Sequence, residues 1–375
     1  MVSSAHLTSI QILQIKQNYM KDYQILVNSQ TYQKISSYLD KLKSGASCGR
    51  YLQDRLLHLN LLDLTIIEFI EVLMRTKRPQ IFAEFEVYGN GTDWNQEELA
   101  ILGDISIVTP VTIYDNGKHR HPTVHEVPFL ATLIFTPGAL LRNGNNITPV
   151  DWEEVTDNGA LSKTKYYQLY ERRLLPAFIY ANDRAKPNGK MALITIPGMG
   201  CGQFAGVFRG QLGTELKDAL ITFLSTHGHK FPNIKVVYYD PYQECENERF
   251  EIDGISLLVR PLTKGNTNKP QLCEPQVYEE AGDDFTNYQL FSFVAWDHVS
   301  WPGNDFYLGA RSTDDGVKAA ATNLMEVMTG IKGRYDCQTY KYHPPTTYNT
   351  WKEVIIRNKI KLEVVDNLTV LPPLN

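Results

Sequence analysis

Long apolar runs, paired cysteines and an excess of positive charge are all missing from this chain of 375 residues. No run of about 18 apolar residues occurs, and the N-terminus, MVSSAHLTSIQILQIKQNYMKDYQ, has no basic head followed by an apolar block. Neither a membrane span nor a Sec-type signal is therefore expected. Cys48, Cys201, Cys245, Cys273 and Cys337 are scattered, odd in number and never in a Cys-x-x-Cys pair, which favours free thiols in a reducing compartment over a disulfide framework. Lys and Arg total 37 against 42 Asp and Glu, a formal net charge of -5, which speaks against a protein that binds along a nucleic-acid backbone. Internal repeats and low-complexity linkers are also absent. What remains is an ordinary globular composition, 43% apolar and 21% charged with 21 Tyr and 15 Phe, long enough for a large core without staples.

The first 75 residues read as helices. Ile12, Ile15, Tyr19, Tyr23 and Leu26, then Ile35, Tyr38, Leu39 and Leu42, recur at three- and four-residue steps, and LLHLNLLDLTIIEFIEVLM reads as a further apolar helix. From IFAEFEVYGNG onward the pattern turns to β-rich runs, ISIVTPVTIYDNG and PFLATLIFTPG, closed by Asn-Gly and Pro-Gly turns. From about residue 165 strands alternate with helices. MALITIP, IKVVYYD, ISLLVRPL and LFSFVAW are strands; a helix carries Phe208, Leu212, Leu216, Leu220 and Phe223 on one face, GVKAAATNLMEVMTG is another closed by Gly330, and TWKEVIIRNK is the last. That rhythm predicts an α/β fold with a largely parallel sheet covered on both faces, residues 1–78 forming a helical extension and 79–375 the α/β domain.

Ligands of such sheets sit beyond the carboxyl ends of the strands, and two loops are expected there. In ITIPGMGCGQFAG, Pro197 ends a strand, and Gly198, Gly200 and Gly202 let the backbone approach a ligand before a helix begins, which outlines a phosphate cradle. No Gly-Lys-Ser/Thr follows, so it is not a Walker loop. Gly200-x-Gly202-x-x-Ala205 with Asp240 ending the next strand leaves a dinucleotide-binding reading open, although about 35 residues separate Ala205 from Asp240 where the fingerprint expects roughly 20. The second loop, AWDHVSWPGNDFYLGARSTDDG, packs Asp297, Asp305, Asp314 and Asp315 among glycines and aromatics. A structural reading exists for part of it: Ser312 as a helix N-cap with Asp315 closing a capping box. For Asp297 and Asp305 no such role is evident.

Three other features carry weaker signals. His119, His121 and His125 lie close together after a turn but lack a companion at a zinc-ligand spacing, so a solvated hairpin is expected. Cys201 beside a helix N-terminus is a candidate for a lowered pKa, without a histidine near it in sequence. The acidic run EPQVYEEAGDD reads as a solvated loop or as a docking surface for a basic partner.

The two loops together resemble those of macrodomains. ITIPGMGCGQFAG is similar to the glycine loop that holds the diphosphate of ADP-ribose, and AWDHVSWPGND to the segment in which a strand leads into a Pro-Gly loop beside the distal ribose. The usual Asn-Ala-Ala-Asn is absent and the two segments come in reversed order, so the chain resembles a divergent, rearranged macrodomain and closely resembles an effector macrodomain. That resemblance implies a three-layer α/β/α sandwich and an ADP-ribosylhydrolase that releases ADP-ribose from an arginine of ubiquitin. It also implies delivery by a specialised secretion system into a host cytoplasm, with ADP-ribosylated ubiquitin and other ubiquitin-pathway proteins as partners, and neither nucleic acid nor membrane among them. ADP-ribose is then ligand or product, with no cofactor required. Asp297, Asp305 and Asp315 are the implied catalytic residues. Gly198, Gly200, Cys201, Gly202, Gln203, Phe204, Trp301, Gly303, Asn304 and Tyr307 are the implied ligand-binding set. No metal is required, although four acids offer ligands for Mg²⁺. A non-catalytic ADP-ribose reader and an NAD-dependent oxidoreductase remain the alternatives.

Overall fold

The computed structural model describes residues 22–81 and 86–374. Nine strands form one mixed sheet: β1 (Gln24–Asn28), β2 (Ile105–Asp115), β3 (Val124–Pro137), β4 (Met191–Pro197), β5 (Ile234–Asp240), β6 (Glu248–Ile252), β7 (Ile255–Val259), β8 (Tyr288–Trp296) and β9 (Leu368–Leu371). In the order β9-β1-β2-β3-β8-β4-β5-β7-β6, the five strands from β3 to β7 run parallel, while β2 and β6 are antiparallel to their neighbours. Alternation along each strand feeds two separate cores. On β5, for example, Val236 and Tyr238 enter one core while Val237 and Tyr239 enter the other.

Helices cover both faces. On one lie α1 (Ser29–Lys43), α2 (Arg50–Leu56), α3 (Ile66–Met74), α4 (Gln96–Gly103), then α7 (Asp314–Ala320), α8 (Leu324–Thr329) and α9 (Trp351–Asn358). On the other lie α5 (Lys163–Ala185) and α6 (Leu212–His227), whose Leu212, Leu216, Leu220 and Phe223 are buried together as their spacing predicts, whereas Phe208, expected on the same helix, ends a separate 3-10 segment (Gln203–Phe208) kinked at Gly206 before α6 begins. The result is the expected three-layer α/β/α sandwich. None of the described helices is long and apolar enough to cross a membrane.

The N-terminal reading needs correction. Ile12, Ile15 and Tyr19 lie outside the described residues, but Tyr23 and Leu26 do not continue a helix: QILVN is strand β1, seated between β9 and β2. Ile25 and Val27 face one core and Leu26 the other, a period of two that a five-residue window did not separate from helical spacing. Residues 1–78 are therefore not wholly helical, and α1 to α3 pack on the sheet's own core. LLHLNLLDLTIIEFIEVLM is also not one helix. Asn60 caps a short 3-10 turn through Leu62 N–H, and Thr65 starts α3 with a capping box closed by Glu68, so both side chains bond the backbone instead of continuing the helix. Likewise GVKAAATNLMEVMTG breaks between α7 and α8, because Asn323 Oδ1 accepts from Thr112 N–H of β2 at 2.7 Å.

Helix α5 has no counterpart in the sequence reading, yet its signal is present. Tyr166, Leu169, Tyr170, Leu174, Ala177, Phe178 and Ala181 keep a buried face at three- and four-residue steps. Arg172 and Arg173 interrupt the apolar pattern, and both are buried because Asp104 and Asp151 pair with them.

Candidate active site

The register of the parallel strands brings the two loops together. Trp296 pairs with Pro137 and Pro197 with Asp240, so β3 ends level with β8 and β4 with β5, and since Ser292 pairs with Thr195 the first two run about two residues further at the same edge of the sheet. The glycine loop leaves β4 and the acid loop leaves β8, its immediate neighbour. Gly138, just beyond β3, lies so close to the glycine loop that a Cβ there would stand 2.3 Å from Gly200 N. Gly200 has a φ of +75°, and its own Cβ would come within 2.8 Å of Ala139 N. Only glycines permit this approach. Tyr170 of α5 fixes it, donating to Met199 O at 2.6 Å and accepting from Ala139 N–H at 3.1 Å.

Between the loops opens a cleft of ≈ 670 Å³, in the range of small-molecule sites. Of the ligand set implied by the sequence, Gly198, Gly200, Gly202, Gln203, Phe204 and Asn304 line it. Cys201, Trp301, Gly303 and Tyr307 do not line it and are buried behind it. Gly202 differs from Gly200: a side chain there would meet no protein atom within 4 Å.

The acids of the second loop are not equivalent. Asp297 Oδ1 accepts from Val299 N–H at 2.7 Å and Ser300 N–H at 2.6 Å, and its Oδ2 accepts from Ser300 Oγ–H and from Asn304 Nδ2. Asp305 accepts from Ser312 N–H, Thr313 N–H and Thr313 Oγ–H, in a seat so close to Gly316 that a Cβ there would stand 1.9 Å from its Oδ1. Both carboxylates thus have the structural role that sequence reasoning did not find. Asp297 also lines the cleft, whereas Asp305 does not. The expected cap is corrected too: Thr313, not Ser312, caps α7 by accepting from Gly316 N–H.

Asp315 stands apart. It lines the cleft at 2% exposure, Oδ1 accepts from Gly303 N–H at 2.6 Å, and Oδ2 has no partner among the described residues. Burial, reinforced by the charges of Asp297, Asp305 and Asp314, raises its pKa well above the ordinary carboxyl value. Asp314 is instead neutralised: its Oδ2 accepts from Ala295 N–H and pairs with Lys318 Nζ at 3.0 Å.

Two buried bases beside the acids escaped sequence reasoning. Lys77 donates to His298 O at 2.6 Å and lies 4.1 Å from the centre of the Trp296 ring; burial lowers its pKa to about 7, partly offset by Asp297. His298 lines the cleft directly after Asp297. Neither belongs to a recognisable motif, and Lys77 is far from the loop in sequence, so only the fold brings them together.

Other expectations resolve differently. Asp240 Oδ1 accepts from the N–H groups of Tyr242 and Leu262 and closes a turn outside the cleft, which removes the ribose-binding role of the oxidoreductase alternative. Burial raises the pKa of the Cys201 thiol, so the activated-cysteine expectation is overturned. His119 and His121 lie in the β2–β3 connection and His125 on β3, and among the described residues no group of three His, Cys, Asp or Glu converges on a metal position. The acidic run is already engaged: Glu280 pairs with Arg260 and Asp283 with Arg249, which argues against a free docking surface there.

A largely parallel sheet covered on both faces, with a glycine loop and an acid-bearing loop meeting at its carboxyl edge, defines a macrodomain-like α/β protein. The chain belongs to the family described as macrodomain effector MavL, which matches residues 23–348. Comparison with curated proteins gave no match. Membership supports an ADP-ribose-binding macrodomain effector, a class whose effector character implies secretion into a host.

Proposed function

We propose that the protein is an ADP-ribosylhydrolase that cleaves the bond between the distal ribose C1″ and an arginine nitrogen of a modified protein, with ubiquitin as the substrate suggested by the macrodomain resemblance. The observation that carries this reading is Asp315: a buried carboxyl whose Oδ2 has no partner, set among other carboxylates on the wall of the cleft. A protonated Asp315 gives its proton to the departing guanidine nitrogen as the C1″–N bond breaks. The resulting carboxylate takes a proton from the water whose oxygen bonds to C1″, which restores the acid and releases ADP-ribose and arginine. Asp297, on the cleft wall, stabilises the cationic ribose in the transition state, while Asp305 positions the loop that bears Asp315. The glycine loop accepts the diphosphate against backbone N–H groups. Host ubiquitin-pathway proteins and delivery through a specialised secretion system belong to the same proposal.

One observation favours the reader-module alternative, namely that Asp297 and Asp305 are already engaged by hydrogen bonds within the loop. Incubating the protein with mono-ADP-ribosylated ubiquitin separates the two. Free ADP-ribose accumulates if Asp315 acts as assigned; retention of the modified protein without release would leave a binding module.

A further inference from the structure

Polar side-chain atoms that are buried without a hydrogen-bond partner among the described residues recur along this one cleft: besides Asp315 Oδ2 they include Trp296 Nε1 and both ring nitrogens of His298, Nδ1 and Nε2. His298 is tightly packed. At 2% exposure its carbonyl accepts from Lys77 Nζ, and its ring lies against Gly103, where a Cβ would stand 2.3 Å from Cδ2. Phe204 of the glycine loop is the next ring, with centroids 6.4 Å apart. Nε2 lies 3.4 Å from Asp151 Oδ2, within ion-pair range but without the geometry of a hydrogen bond. Asp151 is locked in turn, Oδ1 pairing with Arg173 Nη2 at 2.7 Å and Oδ2 accepting from Leu140 N–H at 2.7 Å. Burial alone would raise the Asp151 carboxyl, but Arg173 and the His298 ring hold it below its ordinary value, so it stays an anion.

A carboxylate 3.4 Å from Nε2 favours a ring proton on that nitrogen, which offers Nδ1 as the acceptor. An acceptor buried without a donor is costly, and one carried by a residue of the cleft wall can be satisfied by a donor that arrives with the ligand. Diphosphate oxygens cannot serve, because they only accept. Hydroxyls can. We propose that His298 Nδ1 accepts a hydrogen bond from a hydroxyl of the distal ribose of ADP-ribose, with Asp151 as the positioning residue that fixes the ring and its tautomer. This rests on the reading that the distal ribose lies beside Asp297 and Asp315, since His298 follows Asp297 on the same turn.

The test compares two ligands that differ only in the distal ribose. Calorimetry with ADP-ribose and with ADP is run on the wild type, on His298→Phe, which keeps a ring but no acceptor, and on His298→Asn, which keeps a short polar group with an acceptor oxygen. The expected result is a Kd for ADP-ribose raised about tenfold in His298→Phe, the size of one unmade hydrogen bond. The ADP affinity stays within about twofold in the same variant, and His298→Asn recovers most of the loss. Equal weakening of both ligands would overturn the assignment by placing His298 at the ADP moiety, and an unchanged ADP-ribose affinity in folded His298→Phe would overturn it outright. If His298→Phe fails to fold, unchanged ADP-ribose affinity after His298→Asn together with loss of affinity after Gly103→Ala, which displaces the ring, supports it; no loss after Gly103→Ala counts against it. A wild type that binds neither ligand would remove the proposed function itself and this inference with it.

Discussion

Asp305 and Asp315 belong to one loop, yet their carboxyls are used in opposite ways. Asp305 is saturated by N–H and O–H donors, so Asp305→Ala frees three donors and loosens the loop; we expect turnover and melting temperature to fall together. Asp315 gains little stability from its position. Its folded pKa is raised above the unfolded value of about 4, so its contribution is fully present below that pH and is lost as pH rises toward the folded pKa. Asp315→Asn removes this titration while keeping an acceptor for Gly303 N–H. The variant should therefore melt at the same temperature as wild type near pH 4 and higher at pH 8, with turnover lower by roughly 10²-fold or more at both. Matched melting curves and rates at the two pH values check this; a drop in stability at pH 8 would mean that the carboxylate form is the one the fold needs. The positions of these acids were legible in the sequence because aspartates so close together among glycines are conspicuous. Their division of labour was not, since it depends on which backbone N–H groups the folded loop turns inward.

The glycine loop shows the same division among residues of one type. Gly200 occupies a left-handed conformation packed against Ala139, whereas Gly202 faces open space at the cleft wall. Gly200→Val should fail on stability, and Gly202→Val should fold normally but lose ADP-ribose affinity by about tenfold or more, because its side chain takes the room of the ligand. Circular dichroism and calorimetry on both variants decide between these roles; normal binding by Gly202→Val would take the loop out of the site. At this scale β4, β5, β7, β8 and α9 were readable, as continuous apolar runs and an amphipathic window. Strand β1 and helix α5 were not. A five-residue strand offers too few periods to declare itself, and the paired arginines of α5 look like surface until Asp104 and Asp151 are placed beside them.

Across the whole molecule, Asp104 ties the N-terminal helices to the site. It accepts from Lys34 of α1 and from Arg172 and Arg173 of α5, and Arg173 continues to Asp151 and so to His298. Asp104→Ala would leave two buried guanidiniums without their common carboxylate, a loss of about 3–5 kcal/mol in denaturant unfolding, against under about 1 kcal/mol if the cluster were merely a surface pair. No composition or spacing argument could have linked α1 to the ligand cleft, because the connection runs through side chains from three distant segments. The central claim concerns turnover, and one measurement reaches it most directly: release of free ADP-ribose from mono-ADP-ribosylated ubiquitin by wild type and by Asp315→Asn under identical conditions. The account predicts release by wild type and a loss of roughly 10²-fold or more in a variant that still binds ADP-ribose. Equal release by both proteins, or none by wild type, would contradict it.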